Sequence, residues 1–349
     1  MFTPDDARHA ARLRRQFTSA LSHALGLHRK VALLDAPIHR NLGDSFILSG
    51  ELQALADLHV EVVFYGDTFR TRFDILDGLD PHIPLVLHGG GNLGGLYPDH
   101  EDYRHEVFKR YPHRKVVVMP QTSFFPAEDQ KNKLSDALAR MSDVTILARS
   151  NRTYAELTAL ETATVLRSPD AAFAIPRLDQ LKPSSTSAAE VRVLQRADDE
   201  SCMDGLVHGA PGASTVAGDW EFSYLNATLW KANERLSRAV VSNKIPDTAV
   251  ATVHKHQILT RLHLNMSAAR RIFIGRPAVA TDRLHAHIYC SLAGIPHAVS
   301  DNNYGKISEV FHEHTRFFST AHLAPSLLEA TATAAALAAG ADHVTTNSR

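Results

Sequence analysis

Residues 30–58 read KVALLDAPIHRNLGDSFILSGELQALADL, and this stretch decides the fold class. An apolar run at 30–38 gives way to the polar turn His39-Arg40-Asn41-Leu42-Gly43-Asp44, after which apolar residues recur at helical spacing over 45–58. Strand, loop and helix in that order form the repeating unit of a parallel sheet, because parallel neighbours need a crossover of a dozen or more residues. Working outward, apolar runs return at 60–66, 84–88, 115–121 and 144–149, helical spacing at 129–141 and 150–160, and a last element at 163–175. Strands that are apolar at nearly every position are buried on both faces, so the pattern predicts an α/β fold with a covered parallel sheet.

This first half, residues 1–175, reads as one domain, followed by a Pro- and Ser-rich linker at 176–190. A second domain over 191–330 repeats the α/β pattern. It has a strand at 191–196, a Gly-, Ala- and Ser-rich loop through Gly218, a strand at 239–243 and a long helix at 249–274. Strands at 278–282 and 297–301 then flank a helix at 284–292, and residues 331–349 form an Ala-rich C-terminal helix and tail. Two domains suit a chain of 349 residues, and 44% apolar content excludes a disordered or collagen-like chain. With 37 Lys and Arg against 38 Asp and Glu, the formal charge of −1 gives no global field for a polyanion, which argues against a nucleic-acid binder. Two cysteines, Cys202 and Cys290, and no apolar run long enough to span a bilayer lead to a cytoplasmic expectation, with peripheral contact of the Arg-rich N-terminus at the inner membrane left open.

In a doubly wound sheet, ligands collect beyond the carboxyl ends of the strands, so the segments that follow strands carry the candidate chemistry. Asn41 and Asp44 can cap the helix after the first strand or face a ligand. His88-Gly89-Gly90-Gly91-Asn92 lets backbone approach a ligand and offers N–H groups to an anion, although it is neither GxGxxG nor a Walker loop; a plain turn is the alternative. Gln121 ends the run at 115–121 and Arg149 the run at 144–149. The richest stretch is Thr281-Asp282-Arg283-Leu284-His285, followed by Asp301-Asn302-Asn303-Tyr304-Gly305-Lys306. Arg and Lys delivered to successive strand ends can neutralise a phosphate and a carboxylate, leaving an imidazole free for proton transfer. The alternative is a capping Asp282, a surface Arg283 and a core His285. Trp220 either stacks on a sugar or packs in the core. The histidine pairs 254/256, 285/287 and 312/314 lie two residues apart, and on a helix such side chains diverge, so no metal site is expected. HExxH, CxxC and GxSxG are all missing from the sequence.

The ordered set Asn41-x-Gly43-Asp44, His88 to Gly94, Pro120-Gln121-Thr122, Pro169-Asp170-Ala171-Ala172-Phe173, Thr281 to His285 and Asp301 to Lys306 resembles the polysaccharide pyruvyltransferase family over about residues 30–320. The resemblance implies two Rossmann-like domains in a GT-B-like arrangement with an interdomain cleft. It also implies transfer of pyruvate from phosphoenolpyruvate, as donor substrate and with no cofactor, onto a sugar hydroxyl pair of an exopolysaccharide or its precursor, as a ketal. Carried to matching positions, His285 becomes the catalytic acid/base, and Arg283 and Lys306 hold the donor's phosphate and carboxylate. Asn41, Asp44, His88, Gly89, Gly90, Gly91, Asn92, Gln121, Arg149, Arg196, Asp282, Asn303 and Tyr304 become substrate-binding candidates. Two departures stand out: Gly95 occupies the place of a usual Asp, and Leu194-Gln195-Arg196-Ala197-Asp198-Asp199-Glu200 only approximates Leu-Arg-x-Asp-x-Glu, displacing Arg196 by one position. The acceptor sugar, its lipid linkage and the oligomeric state stay open. The competing readings are a nucleotide-sugar-dependent GT-B glycosyltransferase and a non-catalytic sugar-binding protein.

Overall fold

The computed structural model describes residues 2–175, 190–196, 214–220, 222–241, 247–301 and 305–346. Helix α1 (Pro4–Leu25) leads into β1 (Lys30–Leu34), α2 (Leu42–Asp57), β2 (Glu61–Tyr65), α3 (Phe73–Asp77), β3 (Leu85–Leu87) and β4 (Gly90–Leu93). Then come α4 (Pro98–Arg110), β5 (Val116–Ser123), α5 (Glu128–Leu138), β6 (Val144–Ala148), α6 (Asn151–Thr158), β7 (Thr164–Arg167) and a 3-10 turn at Ala171–Ala174. These strands form one parallel sheet in the order β2-β1-β3-β5-β6-β7, with β4 also pairing β5.

After the linker come β8 (Glu190–Leu194), β9 (Ser214–Gly218), α7 (Tyr224–Val241), α8 (Asp247–Phe273), β10 (Val279–Thr281), α9 (Leu284–Ala293), β11 (His297–Ser300), α10 (Lys306–Glu313), β12 (Ala321–Ala324) and α11 (Leu327–Thr346). A second all-parallel sheet has the order β12-β11-β10-β8-β9. In each sheet the first strand lies between the second and the third, so the chain reverses its winding there. The switch points fall between β1 and β3 in one sheet and between β8 and β10 in the other.

Alternation of the strand residues explains the layering. Val31 and Leu33 share a core with Phe17 of α1, Ile47 of α2 and Ile258 of α8, whereas Ala32 and Leu34 face Leu76, Tyr103, Phe108 and Leu134 on the opposite side. In the second sheet Leu194, Val279 and Val299 pack on Leu284, Ile288 and Ile307, while Val191, Val193 and Ala280 pack on Ala330, Ala334 and Ala338 of α11. The core between the sheets is apolar and aromatic: Phe46 of α2 stacks on Tyr289 of α9 with ring centroids 5.0 Å apart, and Tyr289 on Phe273 at 4.5 Å.

Several elements depart from the sequence expectations. The strand expected at 239–243 is instead the end of α7 as far as Val241, and 242–243 lie outside the described residues. Helix α8, placed with the second half by sequence, packs Ile258 into the core of the first sheet. The C-terminal helix starts at Leu327 rather than 331, and β4, β9 and β12 were not anticipated as strands. Most of the linker, residues 176–189, lies outside the described residues; its last residue, Glu190, opens β8.

Candidate active site

A pocket of about 350 Å³ is lined by residues that follow strands of both sheets: β1 and β3 on one side, β8, β10 and β11 on the other. The loop after β1 begins at Asp35, a fully buried carboxylate whose backbone is left-handed at φ 60°, a conformation non-glycine residues rarely adopt. Its Oδ1 accepts a hydrogen bond from Thr68 Oγ1 (2.6 Å) and lies 2.8 Å from His100 Nδ1. Burial opposes charging of His100, but Asp35 outweighs it and raises the imidazole's pKa above its ordinary value. Farther along, Asn41 accepts from Gly43 N at the start of α2 (3.0 Å) and donates to Asp44 (2.9 Å). Helix α8 fixes this loop from behind: Arg261 donates to the Ile38 carbonyl (3.3 Å), and Asn265 to the His39 carbonyl (3.2 Å) and to Ser45 Oγ (2.7 Å). Burial works against an ionised Asp44, yet His39 and His285 hold its pKa below the usual carboxylate range.

After β3, His88 points its Nδ1 at Glu51 Oε2 (2.8 Å), a contact that requires a proton on Nδ1, and Glu51 Oε1 accepts from Gly89 N (2.8 Å). His88 Nε2 is buried without a hydrogen-bond partner among the described residues, and His88 borders the pocket. Burial lowers the His88 pKa, and the Glu51 carboxylate more than reverses that, leaving it raised.

The opposite wall carries the cations. Arg196 follows β8, and its backbone N–H donates to Asp282 Oδ1 (2.8 Å). Arg283 follows β10; it donates to Asp219 Oδ2 (2.5 Å) and lies over the Trp220 ring, 5.3 Å from its centroid. His285, in the first turn of α9, places Nε2 3.4 Å from Asp170 Oδ2. Its Nδ1 lies so close to the first turn of α2 that a Cβ at Gly43 would stand 2.6 Å from it. Asp170 also accepts from Arg149 Nη1 (2.6 Å) and from Ala172 N (2.8 Å). Burial opposes its charge, but Arg149 and His285 hold its carboxyl well below the usual range. Arg149 is fully buried and donates Nε to Thr122 (2.5 Å); its Nη2 has no hydrogen-bond partner among the described residues. A Cβ built on Gly91 would stand 2.9 Å from Lys306 Nζ and 3.0 Å from Arg149 Nη2, so two cations meet at a spot that only glycine leaves open.

Of the residues singled out by sequence, Asn41, Asp44, His88, Gly91, Asn92, Arg196, Arg283, His285 and Lys306 border this one pocket. Arg149 reaches its edge at Gly91. Four others stand behind the wall. Gly89 is engaged by Glu51, and Gly90 begins β4. Gln121 is buried, donating to the His88 carbonyl (3.0 Å) and accepting from Asn92 N (3.4 Å), and Asp282 holds Arg196. Asp282 does not cap α9, whose N-cap is Arg283. Asn303 and Tyr304 lie outside the described residues. Sequence reasoning gave no site role to Asp35, His39, Tyr97 or His100, all of which border the pocket, or to Asp170. Trp220 borders it while also packing edge-on against Phe46 and Phe273. Among the described residues no three His, Cys, Asp or Glu side chains form a metal-binding set, and no helix is long and apolar enough to cross a membrane.

Two parallel sheets of like winding, with a charged pocket bordered by the carboxyl ends of their strands, define a doubly wound α/β enzyme. The polysaccharide pyruvyl transferase family profile matches residues 41–304, most of the chain, and the protein belongs to that family. It is 30% identical over 289 residues to "Pyruvyl transferase 1" of Schizosaccharomyces pombe, covering 80% of this chain and 68% of that protein. It is 28% identical over 324 residues to "Putative pyruvyl transferase EpsO" of Bacillus subtilis, covering 88% and 92% respectively. A functionally uncharacterised protein of Klebsiella pneumoniae shares the fold, with a TM-score of 0.57 at 18% identity over 90% of this chain and 99% of that one.

Proposed function

We propose that the enzyme transfers pyruvate from phosphoenolpyruvate to two hydroxyls of one sugar in a polysaccharide or its precursor, forming a ketal and releasing phosphate. The observation that carries this reading is the meeting of Arg149 Nη2 and Lys306 Nζ beside Gly91, in the pocket that also holds His285. Phosphoenolpyruvate brings a phosphate ester and a carboxylate attached to one carbon, and two converging cations suit that pair. The two sheets act in this reading as Rossmann-like lobes of a GT-B-like arrangement, with the pocket as their cleft; the like winding of the two sheets and the two switch points support it.

In this mechanism, protonation of the donor's methylene carbon leaves cationic character on the neighbouring carbon, which one sugar hydroxyl attacks. The carbon–oxygen bond to phosphate then breaks, and the second hydroxyl closes the ketal. Two hydroxyl protons are released; on balance one resides on the new methyl group and the other leaves with phosphate. His285 delivers or removes a proton at the reacting centre, oriented by Asp170. His88, backed by Glu51 and with Nε2 unengaged, supplies a second proton carrier, as a reaction with protons moving in both directions requires. Arg149, Lys306 and Arg283 neutralise the anions.

Mass spectrometry of a glycan library incubated with enzyme and phosphoenolpyruvate tests the proposal. A pyruvate ketal that forms in step with phosphate release is expected. Phosphate release without any ketal, or glycosyl transfer from a nucleotide sugar, overturns it.

A further inference from the structure

A second concavity, about 970 Å³, opens at the carboxyl ends of β6 and β7, where α1 crosses them and the segment after α10 closes the far side. Five arginines border it: Arg149, which is paired with Asp170, and four others, Arg12 and Arg15 from α1, Arg167 from the end of β7, and Arg316. None of these last four forms an ion pair with a carboxylate among the described residues, whereas Arg14, on another face of α1, is paired with Asp57 at 2.7 Å. The carboxylate that does border the groove, Glu313, is turned to the Asn151 backbone N–H (3.0 Å). Arg12 and Arg316 both lie over the half-exposed Phe317 ring, 6.0 and 4.8 Å from its centroid, and Arg167 lies over Tyr154 at 4.1 Å. Aromatic rings thus support three planar forks; Arg12 gives its Nη2 to His9 Nδ1 (2.9 Å), and no hydrogen bond of Arg167 or Arg316 is found among the described residues.

We propose that this groove binds phosphate-bearing ligands, with Arg12, Arg15, Arg167 and Arg316 as the anchoring groups. Guanidinium forks match phosphate oxygens two at a time, and every non-histidine cation bordering the groove is an arginine. Its size suits more than one phosphate. The phosphate comes either from a soluble diphosphate or from an anionic phospholipid headgroup, sources that share one chemistry. The inference is independent of phosphoenolpyruvate as donor, since its readout is binding.

Titration calorimetry of the intact protein with inorganic pyrophosphate, and sedimentation with phosphatidylglycerol against phosphatidylcholine vesicles, form the two arms. The Arg15→Ser/Arg167→Ser/Arg316→Ser protein is expected to lose at least tenfold in affinity in one or both arms, while Lys306→Ala, altered in the other pocket, retains the interaction. Loss in the pyrophosphate arm supports a soluble diphosphate; loss in the vesicle arm supports a headgroup. If the triple variant does not fold, Arg15→Glu on the exposed side of α1 serves in its place, with the same loss expected. Equal binding by wild type and variant in both arms, no binding in either, or pyrophosphate binding that depends on Lys306 and not on the arginines, overturns the proposal.

Discussion

At the scale of single residues, the pocket divides its work between groups that carry charge and groups that aim them. His285 rests against Asp170 and the first turn of α2, so His285→Ala should abolish phosphate release while circular dichroism and the melting temperature stay near wild type. A soluble variant with near-normal turnover would remove it from the mechanism. Arg149→Ala and Lys306→Ala should weaken phosphoenolpyruvate binding by about 2–5 kcal/mol, the range for truncating one partner of a buried charge pair. Arg149→Ala also strips Asp170 of a fully buried counter-ion, so its melting temperature should fall as well. Gly43→Ala forces a methyl group to 2.6 Å from His285 Nδ1; turnover should drop far more than donor affinity, as read from kcat and from calorimetric binding separately.

At the scale of elements, two buried histidine arrangements should give stability opposite pH slopes. His297 on β11 lies 2.8 Å from His287 on α9, and burial pushes the His297 pKa down to about 4. The unfolded chain, titrating near 6.5, then binds the extra proton, so stability is full above pH 6.5 and falls as pH drops towards 4, by about 3 kcal/mol for His297. Melting curves from pH 7 to pH 4 should show wild type losing its advantage over His297→Gln. His88 runs the other way: its raised pKa gives stabilisation that is full below about pH 6.5 and is lost as pH rises through the folded value, so the melting-temperature gap to His88→Gln should close on the alkaline side. The elements also show what could be read in advance. Apolar runs such as 30–38 and 115–121 betray parallel strands because both faces are buried. The run ending in Val240-Val241 resembles a strand, yet the backbone continues α7 to Val241, because β-branched residues are only weakly unfavourable in a helix. β4 escaped notice because a glycine-rich strand pairs through backbone alone and carries no apolar alternation. The residues that follow strands, from Thr281 to His285 and at Gly91, were visible for the same topological reason. Asp35 and His100 were not, because their contact spans 65 positions and depends on a left-handed turn with no sequence mark.

At the scale of the whole molecule, one winding pattern used twice brings two switch points to a single pocket, and an aromatic seam of Phe46, Tyr289 and Phe273 packs the sheets together near it. Helix α8 strengthens that relation, because it belongs to the later part of the chain yet grips the loop after β1 through Arg261 and Asn265. Calorimetric titration of phosphoenolpyruvate into wild type, Arg149→Ala and Lys306→Ala, each run beside its melting curve, tests this convergence most directly. Wild type is expected to bind one-to-one and saturably, and each variant to lose about 2–5 kcal/mol. Equal donor affinity in all three folded proteins would contradict this convergence.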